Sequence, residues 1–237
     1  MRLDQTLVEN HAIQSRTKAA ELIKQSLVLV NGKIIDKPSY TVMPDDIITL
    51  QATPYVSRSA LKLKGYLDHS GFDVEGKNIL DVGASTGGFT QILLLHNAAR
   101  VSALDVGEGQ LHPTILQDPR VTNYEKCDIR TFQSDECFDL LTVDVSFISV
   151  VKILDDLDRL SNSDLIILFK PQFEVGKEAK RNKSGVVTDP AAIKNSMQAF
   201  ERSCALQGWQ MIDKQVAVIQ GKEGNTEYVY HYRKINH

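Results

Sequence analysis

The chain has 237 residues, of which 42% are hydrophobic and 24% charged, with 14 Gly and 7 Pro; this is room for one large or two small domains and excludes collagen-like, low-complexity and disordered classes. Arg2, Asp4, Glu9, Arg16, Lys18, Glu21 and Lys24 interrupt the first thirty residues, so there is no apolar signal core, and no stretch has the roughly 18 apolar residues of a membrane helix. The net charge of −3 hides an asymmetry: residues 81–169 hold 6 basic and 14 acidic side chains, whereas Lys170, Lys177, Lys180, Arg181 and Lys183 face only Glu174 and Glu178 over residues 170–183. Such a local basic surface can bind a polyanion, because salt screens charges more than about 10 Å away.

Residues 1–50 read as a compact α+β unit. Leu3, Leu7 and Val8 mark an amphipathic turn, and Ser15 caps a helix whose apolar face is Ala19, Ala20, Leu22 and Ile23. Leu27–Val30 and Lys33–Ile35 flank Asn31-Gly32, the pair best suited to positive φ at both centres of a type I′ hairpin turn. A last strand spans Asp46–Leu50. This order, with Arg2-Leu3-Asp4, Ser15-Arg16 and Val30-Asn31-Gly32 as landmarks, resembles the S4 RNA-binding domain. The resemblance implies that Arg2, Arg16, Lys18 and Lys37 face RNA.

Residues 51–56 are expected to be a linker, since Pro54 lacks a donor and biases Thr53 toward extended geometry. From residue 57 to 237 strands alternate with helices. The strands are expected at Asn78–Asp81, Arg100–Leu104, Val121–Glu125, Leu140–Asp144, Leu165–Phe169, Gln215–Ile219 and Glu227–Tyr232. Alternation of this kind predicts an α/β, largely parallel, doubly wound sheet.

The run Asp81-Val82-Gly83-Ala84-Ser85-Thr86-Gly87-Gly88-Phe89-Thr90 follows an apolar strand and opens a helix, which aims backbone donors at a ligand. It is not a dinucleotide fingerprint, which needs Gly at Ser85, nor a P-loop, which needs an absent Lys. It resembles the cofactor turn of Rossmann-like class I methyltransferases that use S-adenosylmethionine (AdoMet). Asp105, 22 residues after Gly83, falls where a carboxylate takes ribose hydroxyls, and Asp128 closes the third strand, where an adenine amine would sit. Cys127, Cys137 and Cys204 are odd in number and lack metal-ligand spacing, so a reducing cytoplasm and no metal are expected.

Four ionisable residues stand at informative places: Lys62 on the helix opened by Ser57-Arg58-Ser59, Asp144 ending the fourth strand, Lys170 ending the fifth, and Glu227 beginning the last. A lysine closing a buried apolar strand before Pro171 needs a reason to be there. The stretches Ser57–Leu63, Asp81–Thr90, Asp144–Ser149, Lys170–Gly176 and Gly224–Tyr228 appear with the order and spacing of the TlyA family, an S4 domain fused to an FtsJ-like ribose 2′-O-methyltransferase. The resemblance covers nearly the whole chain and implies a Lys62, Asp144, Lys170, Glu227 tetrad. Lys170 is the candidate base: a second lysine, burial and a sulfonium favour its amine form, while Asp144 pulls the other way and orients it. Lys62 and Glu227 would position the ribose. The resemblance further implies that Phe147 lines the cofactor or target pocket, with Asp81, Gly83, Ala84, Ser85, Thr86, Gly87, Phe89, Asp105 and Asp128 around AdoMet.

The basic stretch Glu174–Val187 is either a solvated loop or a substrate loop in which Lys177, Lys180 and Arg181 grip RNA phosphates and order on binding. The family methylates cytidines of ribosomal RNA. The positions at which this chain starts and ends are similar to those of shorter members, which implies large-subunit (23S) rather than small-subunit (16S) rRNA, met as an assembled large subunit. Two other readings are weighed. A membrane-active haemolysin, a historical label of the family, finds no span and no basic amphipathic helix here. A non-catalytic RNA-binding assembly factor would have no reason to keep four catalytic groups in register.

Overall fold

The structure, a computed structural model, describes residues 1–11, 13–24, 27–50 and 55–235. Two compact units divide it, Met1–Tyr55 and Val56–His237. The expected linker residues Gln51–Pro54 lie outside the described residues.

In the first unit, α1 (Leu3–Asn10) and α2 (Arg16–Lys24) pack on an antiparallel sheet of β1 (Val28–Val30), β2 (Lys33–Ile34) and β3 (Ile48–Leu50), in the order β2-β1-β3. Ser15 Oγ accepts from the Lys18 amide at 3.2 Å, satisfying one of the donors orphaned at the start of α2. Leu3, Leu7, Ala19, Leu22, Ile23, Val28 and Val30 form the core with Ile13 and Val42. Asn31 and Gly32 turn the hairpin with φ of 51° and 74°. The third strand begins at Ile48 rather than Asp46 because the Asp46 carboxylate is used in a turn. It accepts from the Met43 amide at 2.9 Å and from Asn31 Nδ2 at 2.7 Å.

The second unit runs α3 (Ala60–Ser70), β4 (Asn78–Val82), α4 (Gly88–Leu95), β5 (Arg100–Leu104), α5 (Pro113–Leu116), β6 (Val121–Tyr124) and β7 (Phe138–Val143). After a 3-10 turn (Val150–Ile153) come α6 (Leu154–Leu160), β8 (Ser161–Phe169), α7 (Pro171–Glu174), α8 (Pro190–Leu206), β9 (Trp209–Val216) and β10 (Tyr228–Lys234). The seven strands lie in the order β6-β5-β4-β7-β8-β10-β9. The first five are parallel, and β10 enters antiparallel to both of its neighbours. Leu165 to Phe169 of β8 are all buried, as expected of a strand covered on both faces. Phe169, Phe200, Trp209, Tyr230 and Tyr232 form an aromatic part of the core. Because β5 and β7 leave β4 in opposite directions, a crevice opens beyond the carboxyl ends of these strands, where α/β sheets bind ligands.

In this sheet one strand lies largely outside its expected range. The sixth of the sheet spans Trp209–Val216, not Gln215–Ile219. It is anchored by buried Trp209, whose Nε1 donates to Asp158 Oδ1 at 2.8 Å. As an edge strand with a half-exposed face, it mixes apolar Met211 and Ile212 with charged neighbours and blurs the two-residue period.

Candidate active site

The glycine turn after β4 is shaped by close backbone approach. Gly83 has φ of 81°, and a Cβ built there would lie 2.9 Å from the Asp144 carbonyl oxygen. Only glycine lets the ends of β4 and β7 come so near. At Gly88, the first residue of α4, a Cβ would meet Ser57 Oγ at 2.1 Å and Ser59 Oγ at 2.4 Å. The start of α3, which carries Lys62, is thus seated on the start of the cofactor helix.

A cavity of about 590 Å³ opens at this turn, walled by Gly83, Ser85, Asp105, Asp128, Asp144 and Phe147 among others, a size suited to a small-molecule cofactor. Asp105 accepts from the Ser85 amide at 2.8 Å and the Gly107 amide at 2.7 Å. Asp128 is held by Arg130 at 2.9 and 2.5 Å, and these bonds keep its carboxyl below the usual range. Carboxylates from the ends of two strands thus stand over a glycine cradle. Gln110, Cys127, Ile129, Arg130 and Ser146 also wall the cavity. Sequence reading missed the first four because they lie in loops without a motif, where only the spacing of Arg130 from Asp128 offered a signal, and it gave Ser146 no role although it lies in the Asp144–Ser149 stretch.

Five residues expected at the cofactor do not appear among the cavity walls: Asp81, Ala84, Thr86, Gly87 and Phe89. Asp81 is fully buried, and its two oxygens accept from Thr90 Oγ1 at 2.6 Å and Thr142 Oγ1 at 2.8 Å. It braces α4 and β7 against β4. Burial pushes its carboxyl up to about 6, against the threonine bonds, with Asp144 adding to the rise. Phe89 is packed beneath the turn, and Gly87 takes φ of 89° at the N-cap of α4.

The four tetrad residues come from α3 and from the ends of β7, β8 and β10. Lys62 Nζ meets Glu227 Oε2 at 2.5 Å, and Lys170 Nζ meets Asp144 Oδ1 at 2.6 Å. Tyr228 of β10 pairs with Phe169 of β8, so the next step of the same register sets Glu227 beside Lys170. Lys62, Lys170 and Glu227 are buried, and burial on this scale requires the charges to be mutually paired. Gln172 Nε2 donates to Glu227 Oε1 at 3.0 Å, and Ser146 Oγ accepts from Lys170 Nζ at 2.9 Å. Phe147 is 92% exposed with φ of 65°, and its ring lies 5.3 Å from that of Phe173. A bulky residue held left-handed marks backbone strain of the kind found at functional sites. Glu174 accepts from Ser149 Oγ at 2.6 Å and the Val150 amide at 2.8 Å, tying α7 to the 3-10 turn; burial raises its carboxyl above the ordinary value.

The basic residues are less uniform than the sequence suggested. Arg2 and Arg16 both bind Asp4, at 3.0 and 2.9 Å, and the Arg2 bond above all holds the Asp4 carboxyl down at about 2. Lys18 lies 3.8 Å from Glu21, and Lys37 is exposed. Lys177, Lys180 and Arg181 are exposed on a loop with internal structure: Arg181 bridges to Val187, and Asn182 Oδ1 accepts from the Ser184 and Val186 amides. The Val187 amide donates to Asn225 Oδ1 at 3.0 Å, linking this loop to the approach to Glu227.

A family model described as FtsJ-like methyltransferase matches residues 55–234, and one described as S4 domain matches residues 1–48. Fold and site therefore define an AdoMet-dependent methyltransferase joined to an S4 domain. The chain is 45% identical, over 93% of its length and 94% of the relative's, to the 23S rRNA (cytidine-2′-O)-methyltransferase TlyA of Campylobacter jejuni. It is 38% identical, over 96% and 87%, to the 16S/23S enzyme of Mycobacterium tuberculosis. A solved structure from Streptococcus thermophilus, called a hemolysin, is 30% identical with a TM-score of 0.75, covering all of this chain and 89% of that one. The chain belongs to the TlyA family.

Proposed function

We propose that this protein methylates the ribose 2′-hydroxyl of a cytidine in large-subunit (23S) rRNA, using AdoMet, and that it meets this rRNA in the cytoplasm as an assembled large subunit. The observation that carries the reading is the meeting of Lys62, Asp144, Lys170 and Glu227 beside a cavity with carboxylates at its rim. Preference for the large subunit rests on the 23S relative, more similar than the one named for both subunits. The name Hemolysin A, carried by a relative from Brachyspira hyodysenteriae that is 35% identical over 98% of this chain and 99% of its own, is a historical label. Among the described residues no helix is long and apolar enough to cross a membrane.

When bound, AdoMet supplies an electrophilic methyl group. Gly83, Ser85, Asp105, Asp128 and Phe147 hold the cofactor, with Asp81, Ala84, Thr86, Gly87 and Phe89 shaping the turn around it. Lys170 takes the proton of the 2′-hydroxyl, Asp144 orients the Lys170 amine, and the Lys62–Glu227 pair fixes the ribose for in-line attack. Residues 1–50 act as an RNA-binding module through Arg2, Arg16, Lys18 and Lys37, joined by residues 51–56 to the catalytic domain 57–237. Lys177, Lys180 and Arg181 hold RNA phosphates near the site. Target ribose in folded rRNA is reached by splaying the nucleotide out of its stack.

The test is transfer of labelled methyl from AdoMet to unmodified large subunits, small subunits and naked rRNA, comparing wild type with Lys170→Ala. Label on large-subunit RNA at one alkali-resistant cytidine, lost in the variant, is the expected result. Equal labelling of small subunits would overturn the large-subunit preference, and no labelling of any RNA despite AdoMet binding would overturn the enzymatic reading.

A further inference from the structure

We infer that Ser146 is a catalytic residue for the methyl-transfer reaction, its hydroxyl relaying the target proton to Lys170. This deepens the reading above and rests on Lys170 as the base.

Lys170 Nζ lies 2.6 Å from Asp144 Oδ1, 2.9 Å from Ser146 Oγ and 3.4 Å from the Asp144 backbone carbonyl oxygen. An ammonium has three N–H donors and no acceptor; two of them bond Ser146 Oγ and the Asp144 carbonyl, while Asp144 Oδ1 meets the charge without an aligned hydrogen bond. An amine of the same lysine keeps two N–H groups and has one lone pair. Carboxylate and backbone carbonyl oxygens only accept hydrogen bonds, so neither can face that lone pair favourably. A serine hydroxyl both donates and accepts. Of the three partners, Ser146 alone can turn its O–H toward the nitrogen and hold the lone pair in a defined direction.

That direction is the useful one. Ser146 is exposed and forms part of the cavity wall, whereas the lysine it touches is buried. The amine's one lone pair is then occupied, so a target hydroxyl arriving from the cavity side donates to Ser146 Oγ. On reaction the 2′-oxygen bonds to the methyl carbon, the carbon–sulfur bond breaks, the 2′-proton passes to Ser146 Oγ, and the Ser146 proton passes to Lys170 Nζ, now an ammonium. Ser146 then returns to accepting. A hydroxyl thus passes the proton on without adding a charge to the site.

The experiment compares wild type, Ser146→Ala and Ser146→Thr with large subunits as substrate, measuring kcat, KM for RNA, and AdoMet Kd by calorimetry without RNA. Expected are a kcat at least tenfold lower in Ser146→Ala, with KM, AdoMet Kd and melting temperature close to wild type, and a kcat within threefold of wild type in Ser146→Thr, which restores the hydroxyl. A Ser146→Ala kcat within threefold of wild type overturns the inference and leaves the methyltransferase reading standing. So does an alanine defect confined to KM or AdoMet Kd, or a threonine variant no better than alanine. Absence of transfer by the wild type overturns both.

Discussion

Lys62 and Glu227 are 165 residues apart in the chain and 2.5 Å apart in the fold, where Gln172 holds the second carboxylate oxygen of Glu227 at 3.0 Å. Glu227 is 2% exposed, so its charge depends on this lysine. Lys62→Ala is expected to destabilise the protein by about 3 kcal/mol, since breaking a buried pair leaves an uncompensated charge, and to abolish methyl transfer. Lys62→Met with Glu227→Met is expected to recover much of that stability and none of the activity. Urea unfolding and labelled-methyl transfer check the two halves separately.

Asp81 gives the fold a pH dependence opposite to that of most carboxylates. Its folded-state value of about 6 lies above the ordinary 3.8, so the native state holds the proton more tightly than the unfolded chain. The stability this contributes is fully present below about pH 4 and lost as pH rises through about 6. Asp81→Asn keeps the shape without the ionisation. Its stability relative to wild type should climb by about 2 kcal/mol from pH 4 to pH 7, as followed by denaturant unfolding at a series of pH values; a flat difference would contradict the assignment.

Gly83→Ala places a methyl group against the Asp144 carbonyl at a φ of 81°. The expected cost is about 1–3 kcal/mol of stability, with AdoMet affinity down at least tenfold because the strand ends part. Gly76→Ala is the control: its φ is 72°, but a Cβ there meets nothing within 4 Å, so it should carry the strain and leave AdoMet binding unchanged. For wild type, AdoMet at about 100 times its Kd should add roughly 2.7 kcal/mol, read as a rise in melting temperature.

Arg16 shares the Asp4 carboxylate with Arg2 yet remains half exposed, which leaves guanidinium donors for a phosphate. Arg16→Ala is expected to weaken binding to a large-subunit rRNA fragment and to reduce the slope of log affinity against log salt by about 1. An unchanged slope in a salt titration would remove Arg16 from the RNA contact.

The sequence by itself determined the elements and the family. The Asn31-Gly32 turn, the Ser15 cap, the apolar strands and the glycine run after Asp81 follow from local sterics and periodicity, which act over a few residues. The five motifs in order were equally legible, because spacing along the chain is preserved whatever the fold does. Tertiary structure alone decided what the side chains do. Asp81 and Asp105 both follow apolar runs, yet one is sealed between two threonines while the other edges the cavity. Gln110, Arg130, Ser146 and Gln172 become part of the site only because loops and the short α7 converge there from different strands. The edge strand at Trp209–Val216 was misplaced for the same reason: its position depends on pairing with β10 and on the Trp209–Asp158 bond. Burial, partner and direction are properties of neighbours distant in sequence, and no local pattern encodes them.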